Sequence, residues 1–198
     1  MKFKFEFADL FKLPNILCYL RIAMVPIFLY VYFAATDQFD YYMATAVVII
    51  SGITDFLDGQ IARRFNMITD LGKLIDPIAD KLMQLAMLVA LTIRIRYMYV
   101  LIIYLVIKEV VSTLTGFFVY KVYARRLDGA KWYGKVCTFL LYAVMLVLVA
   151  FPQMEVHVQG ILIAVCAGSF TLAFVMYMRQ YIIMAIDAKK HRNDEVLY

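Results

Sequence analysis

The chain is poor in charge: Asp, Glu, Lys and Arg make up only 18% of its 198 residues, whereas 65% are hydrophobic. A soluble domain is usually about half apolar and about a quarter charged. The apolar excess cannot be a larger core, because a small soluble domain must still cover itself with polar surface. The composition therefore excludes an ordinary soluble domain and indicates a chain that is solvated by lipid.

Cysteine, glycine and proline are also scarce, with 3, 8 and 4 residues. Cys18, Cys137 and Cys166 are widely spaced within apolar runs and show no zinc-type spacing. We therefore expect them to be small buried hydrophobic residues. The few Gly and Pro residues leave no linker or low-complexity segment, so residues 1–198 are predicted to form a single membrane domain.

Six apolar stretches are long enough to cross a bilayer, which takes about 20 helical residues. They predict an all-α integral membrane protein, a six-transmembrane-helix bundle with residues 14–186 as its core and 187–198 as a cytoplasmic tail. The predicted spans are Ile16–Ala35, Tyr41–Ile61, Leu71–Ile93, Met98–Tyr120, Val136–Phe151 and Val158–Ala185.

Residues 1–13 alternate aromatic and charged positions before the first span. They are interpreted as an amphipathic juxtamembrane segment on anionic headgroups, with a frayed tail as the alternative. Of the Lys and Arg residues outside the predicted spans, thirteen lie on one side of the membrane and two on the other. This distribution predicts that both termini face the cytoplasm and that the membrane is a bacterial-type cytoplasmic membrane. The thirteen are Lys2, Lys4, Lys12, Arg63, Arg64, Lys121, Arg125, Arg126, Lys131, Lys135, Lys189, Lys190 and Arg192, and the two are Arg94 and Arg96.

The segment from Thr54 to Lys81 carries aspartates in and beside two predicted spans, where a carboxylate costs at least about 2.5–3.5 kcal/mol. Spacings of three and four place Asp55 with Asp58, and Asp76 with Asp80, on one face of each helix. An antiparallel hairpin would bring these four carboxylates to a similar depth. Two divalent cations would neutralise them, and oxygen ligands suit Mg²⁺ or Mn²⁺.

Two other interpretations of the aspartates remain open. One is a structural network of buried ions, in which Lys73, Lys81, Arg63 and Arg64 supply the counter-charges. The other is a cation or proton transporter. A transport relay would spread its carboxylates across the membrane, whereas these flank a cytoplasmic loop, which favours metal-assisted catalysis.

As a pattern, the segment reads D-x-x-D-G-x-x-A-R, eight residues, then G-x-x-x-D-x-x-x-D. This resembles the signature of the CDP-alcohol phosphotransferase family. LPNILCYLRI, with Asn15 and Arg21, and GKVCT, with Lys135, are similar to the starts of that family's first and fifth spans. The matched signature positions are Asp55, Asp58, Gly59, Ala62, Arg63, Gly72, Asp76 and Asp80.

The resemblance implies a role for each matched residue. Asp55, Asp58, Asp76 and Asp80 would hold the metals, and Asp80 would also act as general base on the acceptor hydroxyl. The CDP-lipid would contact the small residues and the arginine of the motif, namely Gly59, Ala62, Arg63 and Gly72. The implied partners are CDP-diacylglycerol, an alcohol acceptor, membrane lipids and a second copy of the chain, with no nucleic acid.

Within the family, the opening, the DPIADK run and the GKVCT segment resemble phosphatidylglycerophosphate synthases most, which implies glycerol 3-phosphate as acceptor. That dianion needs basic residues, for which Lys135, Lys108, Arg125 and Arg126 are the candidates. An arginine common in the fourth span of that branch is absent from IKEVVSTLTG. Cardiolipin synthase, which uses phosphatidylglycerol, is therefore the alternative. Inositol phosphate and serine are less expected as acceptors.

Overall fold

The computed structural model describes residues 10–65, 67, 69–123 and 132–196. In that part of the chain, all regular secondary structure is helical. The six α-helices are α1 (Leu13–Ala34), α2 (Gln38–Arg64), α3 (Asp70–Arg94), α4 (Met98–Tyr123), α5 (Trp132–Ala150) and α6 (Val156–Val196). Most of the amphipathic segment predicted at residues 1–13 lies outside the described residues.

The helix starts follow the local sequence. Pro14 lies in the first turn of α1, where its fixed φ and missing N–H cost little. Asp37 caps α2 through a capping box with Asp40. Thr69 caps α3, because its Oγ1 accepts from the backbone N of Gly72 at 2.9 Å. The last of these caps fixes where α3 begins, directly after the loop that leaves α2.

Among the described helices, five are long and apolar enough to cross a membrane: α1, α2, and the segments Met98–Val119, Trp132–Ala150 and Val156–Met184. They indicate an integral membrane protein. The predicted third span is present as the helix α3, but six charged residues exclude it from this set: Asp70, Lys73, Asp76, Asp80, Lys81 and Arg94. Helix α6 continues past the predicted end at Ala185 and includes most of the predicted tail.

Contacts divide the chain into two compact units. The first comprises residues up to Arg96 together with Met145–Met154, and the second comprises Tyr97–Val144 and the chain from Glu155 onward. In the first unit, α1 packs against both α2 and α3. Gln38 Nε2 also donates to the carbonyl of Ala150 at 2.6 Å, which joins the start of α2 to the end of α5.

The first unit holds α3 at both of its ends. At the C-terminal end, the Arg94 guanidinium lies 5.5 Å from the ring centroid of Tyr41 and 6.0 Å from that of Tyr32. At the N-terminal end, Gly72 is forced to be small: a Cβ there would lie 2.6 Å from Asn15 Oδ1 and 3.0 Å from Thr69 Oγ1. Gly72 therefore allows α1 to approach the first turn of α3.

In the second unit, α4 packs against α6, and Tyr104 and Thr171 join them through their hydroxyl groups at 2.7 Å. Helix α5 contacts α6 through the rings of Tyr133 and Tyr177, which lie edge to face with their centroids 4.7 Å apart. Apolar side chains such as Phe117 and Phe118 on α4 are exposed. A water-soluble surface would not expose a group of large apolar side chains, whereas a lipid-facing surface would.

Candidate active site: four carboxylates around one arginine

The predicted convergence of the four aspartates on α2 and α3 is present. Asp55 and Asp58 lie on α2 and Asp76 and Asp80 on α3, and all four carboxylates contact one guanidinium, that of Arg21 on α1. The two helices bring the four charges together through α1, against which both of them pack, and not through close packing against each other.

Arg21 divides its two terminal nitrogens between the helices. Nη2 lies 2.7 Å from Asp55 Oδ1 and 2.5 Å from Asp58 Oδ2, both on α2. Nη1 donates to Asp76 Oδ1 at 3.0 Å and to Asp80 Oδ1 at 2.6 Å, both on α3. A planar guanidinium suits this task, because its fork of donors can serve several carboxylates at once.

Burial differs across the cluster. Arg21 is 1% exposed, and the side chain of Asp58 is also buried. The side chains of Asp55, Asp76 and Asp80 are 42%, 44% and 45% exposed. The guanidinium therefore meets the carboxylates from the protein interior, and three of the four remain accessible to a ligand.

The alternative of a structural ion network named other counter-charges than the one that contacts the four carboxylates. The lysines of α3 interact with other groups: Lys73 pairs with Asp70 at 2.9 Å, and Lys81 donates to Gln84 at 3.3 Å. The cation that contacts the four carboxylates is Arg21, which lies on another helix and was noted only as part of a motif. Nothing in local spacing relates position 21 to positions 55–80, so this pairing depends on the packing of α1.

The donor set fits a hard divalent cation. One oxygen from each of Asp55, Asp76 and Asp80 can lie within 4.8 Å of the others, and Asp58, Asp76 and the thiol of Cys18 form a second such group. Carboxylate oxygens are suitable ligands for Mg²⁺ and Mn²⁺. Cys18 is buried, as predicted, but it also lies 3.4 Å from Asp58 Oδ2, so the second group is not made of oxygen alone.

A cavity of about 220 Å³ adjoins the carboxylates. Its lining includes all four residues that the resemblance assigned to the CDP-lipid, together with residues of α1 and of the α2–α3 loop that were not predicted. The lining residues are Pro14, Asn15, Cys18, Asp58, Gly59, Ala62, Arg63, Met67, Thr69, Gly72, Lys73 and Asp76. The two cations Arg63 and Lys73 make this a pocket in which phosphate groups could be neutralised.

Gly59 and Gly72 have different reasons to lack a side chain. Gly72 is confined by Asn15 and Thr69, as described above. At Gly59, by contrast, the atom of the described residues that an added Cβ would meet outside the local helix backbone is Arg63 Nη2, at 3.8 Å, which is ordinary contact. Packing therefore does not require glycine at position 59, and its smallness leaves space in the cavity.

The candidate acceptor residues are in a different part of the chain. Lys108 and Lys135 belong to the second unit. Lys108 Nζ lies 3.3 Å from Glu109 Oε2 and 5.3 Å from the ring centroid of Phe170, whereas Lys135 is exposed in the first turn of α5. Arg125 and Arg126 lie outside the described residues. Lys135 is thus the more available of the two described lysines.

Comparison with known proteins assigns the class. The pattern of the CDP-alcohol phosphatidyltransferase family matches residues 11–186, and the chain belongs to this family. The matched range contains the four aspartates, Arg21 and the whole lining of the cavity.

Individual relatives carry two different names. A cardiolipin synthase (CMP-forming) of Streptomyces coelicolor is 36% identical over 143 residues, which are 70% of this chain and 65% of that protein. A CDP-diacylglycerol–glycerol-3-phosphate 3-phosphatidyltransferase of Rickettsia bellii is 39% identical over 36% of this chain and 39% of its own length. The alignments thus span less than two thirds of both relatives. A CDP-diacylglycerol–glycerol-3-phosphate 3-phosphatidyltransferase of Blochmanniella floridana is 31% identical over 74% of this chain and 76% of its own length.

The contrast between the glycines gives a prediction about the cavity. Gly59→Ala should not lower the melting temperature, because the new methyl group makes only ordinary contact and alanine favours a helix more than glycine does, but it should weaken CMP binding by at least about tenfold, or ~1.4 kcal/mol. Binding would be measured by calorimetry in detergent. Gly52→Ala is the matched control, since Gly52 is on the same helix and a Cβ there would meet no side chain of the described residues within 4 Å. Equal CMP affinity in both variants would show that CMP does not occupy this cavity.

Proposed function

We propose that the protein transfers the phosphatidyl group of CDP-diacylglycerol to glycerol 3-phosphate and releases CMP. The observation that carries this proposal is the convergence of Asp55, Asp58, Asp76 and Asp80 beside a cavity that has its own cations. Membership of the family supports the reaction class. The names of the Rickettsia and Blochmanniella relatives support the acceptor.

Asp55, Asp58, Asp76 and Asp80 would hold divalent metal, Mg²⁺ or Mn²⁺, and two ions would best neutralise four carboxylates. Bound there, the metal would neutralise the diphosphate and stabilise the leaving CMP phosphate. Gly59, Ala62 and Gly72 would leave room for the nucleotide, and Arg63, with Lys73 beside it, would pair with its phosphates. The diphosphate would thus meet the carboxylates at the mouth of the cavity.

In the transfer step, the acceptor hydroxyl oxygen attacks the phosphorus on the lipid side of the diphosphate. A new P–O bond forms, the P–O bond to CMP breaks, and the hydroxyl proton passes to Asp80. The side chain of Asp80 is 45% exposed, so an acceptor can reach it. Its Oδ1 lies 2.6 Å from Arg21 Nη1, which holds the carboxylate in position. A carboxylate beside cations is a weak base, so its contribution comes from position as much as from basicity.

We further propose that α3 is a sixth span and that the site and both termini face the cytoplasm. The distribution of Lys and Arg supports this orientation. A span by α3 is supported by Arg21, which contacts both Asp76 and Asp80 and offsets part of their charge. The homodimer remains a prediction from the family resemblance.

A second acceptor has specific support. The Streptomyces relative is named a cardiolipin synthase, and it aligns over 70% of this chain. Phosphatidylglycerol as acceptor would use the same carboxylates and the same leaving group. Transport of cations or protons is less well supported, because the four carboxylates gather around one guanidinium instead of forming a relay along the helices.

The metal-site assignment predicts the effect of removing one carboxylate. Asp55→Asn should reduce transfer by at least about a thousandfold, roughly 4 kcal/mol, because a ligand is lost and cation charge is left uncompensated. CMP release and Mn²⁺ binding would both be measured. Glu155→Gln, at an exposed carboxylate just before α6, is the control and should retain both. Near-normal turnover in Asp55→Asn would contradict the metal site.

Asp80 should behave differently if it is mainly the base. Asp80→Asn should lose turnover by at least about a hundredfold, which is within the range of a general base, while it still binds CMP and Mn²⁺. Equilibrium binding and single-turnover transfer on the same preparation separate the two effects. If Asp80→Asn loses Mn²⁺ as completely as Asp55→Asn, Asp80 is an ordinary ligand and another group must accept the proton.

The acceptor assignment predicts a split between the two substrates. Glycerol 3-phosphate carries about two negative charges, so removing the exposed cation in Lys135→Ala should raise its KM at least about tenfold, or ~1.4 kcal/mol. The KM for CDP-diacylglycerol should change far less. Lys121→Ala, at another exposed lysine of the second unit, is the control. Should phosphatidylglycerol be the better acceptor for the unmutated enzyme, cardiolipin synthesis replaces this assignment.

A further inference from the structure

Arg21 is the most deeply buried charged group that the mechanism above leaves without a chemical task. It is 1% exposed, and both of its terminal nitrogens are shared between carboxylates. Without them, an arginine at this depth would be an unpaired buried charge, which is strongly unfavourable. Without Arg21, conversely, the four carboxylates of α2 and α3 would repel one another at close range.

The same four carboxylates are the proposed metal ligands, so two kinds of cation neutralise one set of charges. Arg21 reaches them from the buried side, while Asp55, Asp76 and Asp80 remain accessible on the other side. A fixed positive charge beside these oxygens stabilises the cluster when metal is absent. It also repels a divalent ion that binds a few ångströms away. The two effects are linked, because whatever stabilises the metal-free state reduces the gain from binding metal.

We propose that Arg21 is a built-in counter-cation of the metal site, which holds the four carboxylates together in the metal-free protein and thereby weakens the binding of divalent ions. This inference rests on the proposed metal site. Arg21 acts through the carboxylates, so it is a positioning residue and not a catalytic one. The consequence is a site that is assembled before metal binds and that holds its metal with moderated affinity.

The test is the coupling between Arg21 and Mn²⁺ in detergent-solubilised protein. In EDTA, Arg21→Gln should melt at a clearly lower temperature than the unmutated protein, and saturating Mn²⁺ should restore most of the difference. The dissociation constant for Mn²⁺, measured by electron paramagnetic resonance of the free ion without substrates, should fall at least about tenfold, or ~1.4 kcal/mol. Arg21→Lys keeps the charge, and its Mn²⁺ affinity should stay within about threefold of the unmutated value.

The control removes the same charge elsewhere in the unit. Arg94 lies at the other end of α3, fourteen residues beyond Asp80 and hence about 21 Å along the helix. Arg94→Gln should lower the melting temperature equally with and without Mn²⁺, because Arg94 contacts the rings of Tyr32 and Tyr41 and lies far from the carboxylates.

Each other outcome counts against the proposal. A loss of stability in Arg21→Gln that Mn²⁺ does not repair, including failure to fold in both conditions, would show a purely structural role. Weaker Mn²⁺ binding in that variant would show that the metal needs Arg21, and tighter binding in Arg21→Lys would show that charge is not the cause. If the unmutated protein binds Mn²⁺ and releases CMP normally, any of these results overturns the role of Arg21 and leaves the proposed function intact. If the unmutated protein binds no Mn²⁺, the proposed metal centre is itself wrong, and this inference with it.

Discussion

The first unit depends on the contact of four carboxylates with one guanidinium, whose single positive charge offsets part of their negative charge. Each carboxylate near the bilayer centre would cost at least about 2.5–3.5 kcal/mol on insertion scales. Arg21 offsets part of this cost by binding two carboxylates of α2 with one nitrogen and two of α3 with the other. The packing of α1 against both helices is therefore inseparable from the charge of the site.

Around this cluster, the small residues of the signature serve two purposes that the sequence does not distinguish. Gly72 allows Asn15 to approach the first turn of α3, where Thr69 caps the helix and receives a hydrogen bond from Asn15 Nδ2 at 3.1 Å. Gly59 has no such neighbour and leaves space in the cavity. One glycine thus sets the position of the helices, and the other shapes the site that they form.

Much of this arrangement could be predicted from the sequence, because it is local. The lengths of the apolar stretches predicted all six helices, to within a few residues at most ends. The charged residues of α3 separate it from the five helices that are apolar enough to cross a membrane. The helical spacing predicted that the aspartates of each helix share a face, and the short loop after Arg64 predicted that the two pairs lie near each other. The role of Arg21, the involvement of Cys18 and the engagement of Lys108 by Glu109 and Phe170 depend on contacts between helices, which spacing within one helix cannot show.

The central claim is that these carboxylates serve phosphatidyl transfer, and one measurement tests it most directly. Purified protein would be given CDP-diacylglycerol labelled at the lipid-side phosphorus, Mn²⁺ and glycerol 3-phosphate. The account predicts that the label appears in a new phospholipid in equal amount to CMP, and that both products disappear when either the alcohol or the metal is withheld. Release of CMP without an alcohol, or transfer that continues in EDTA, would contradict it.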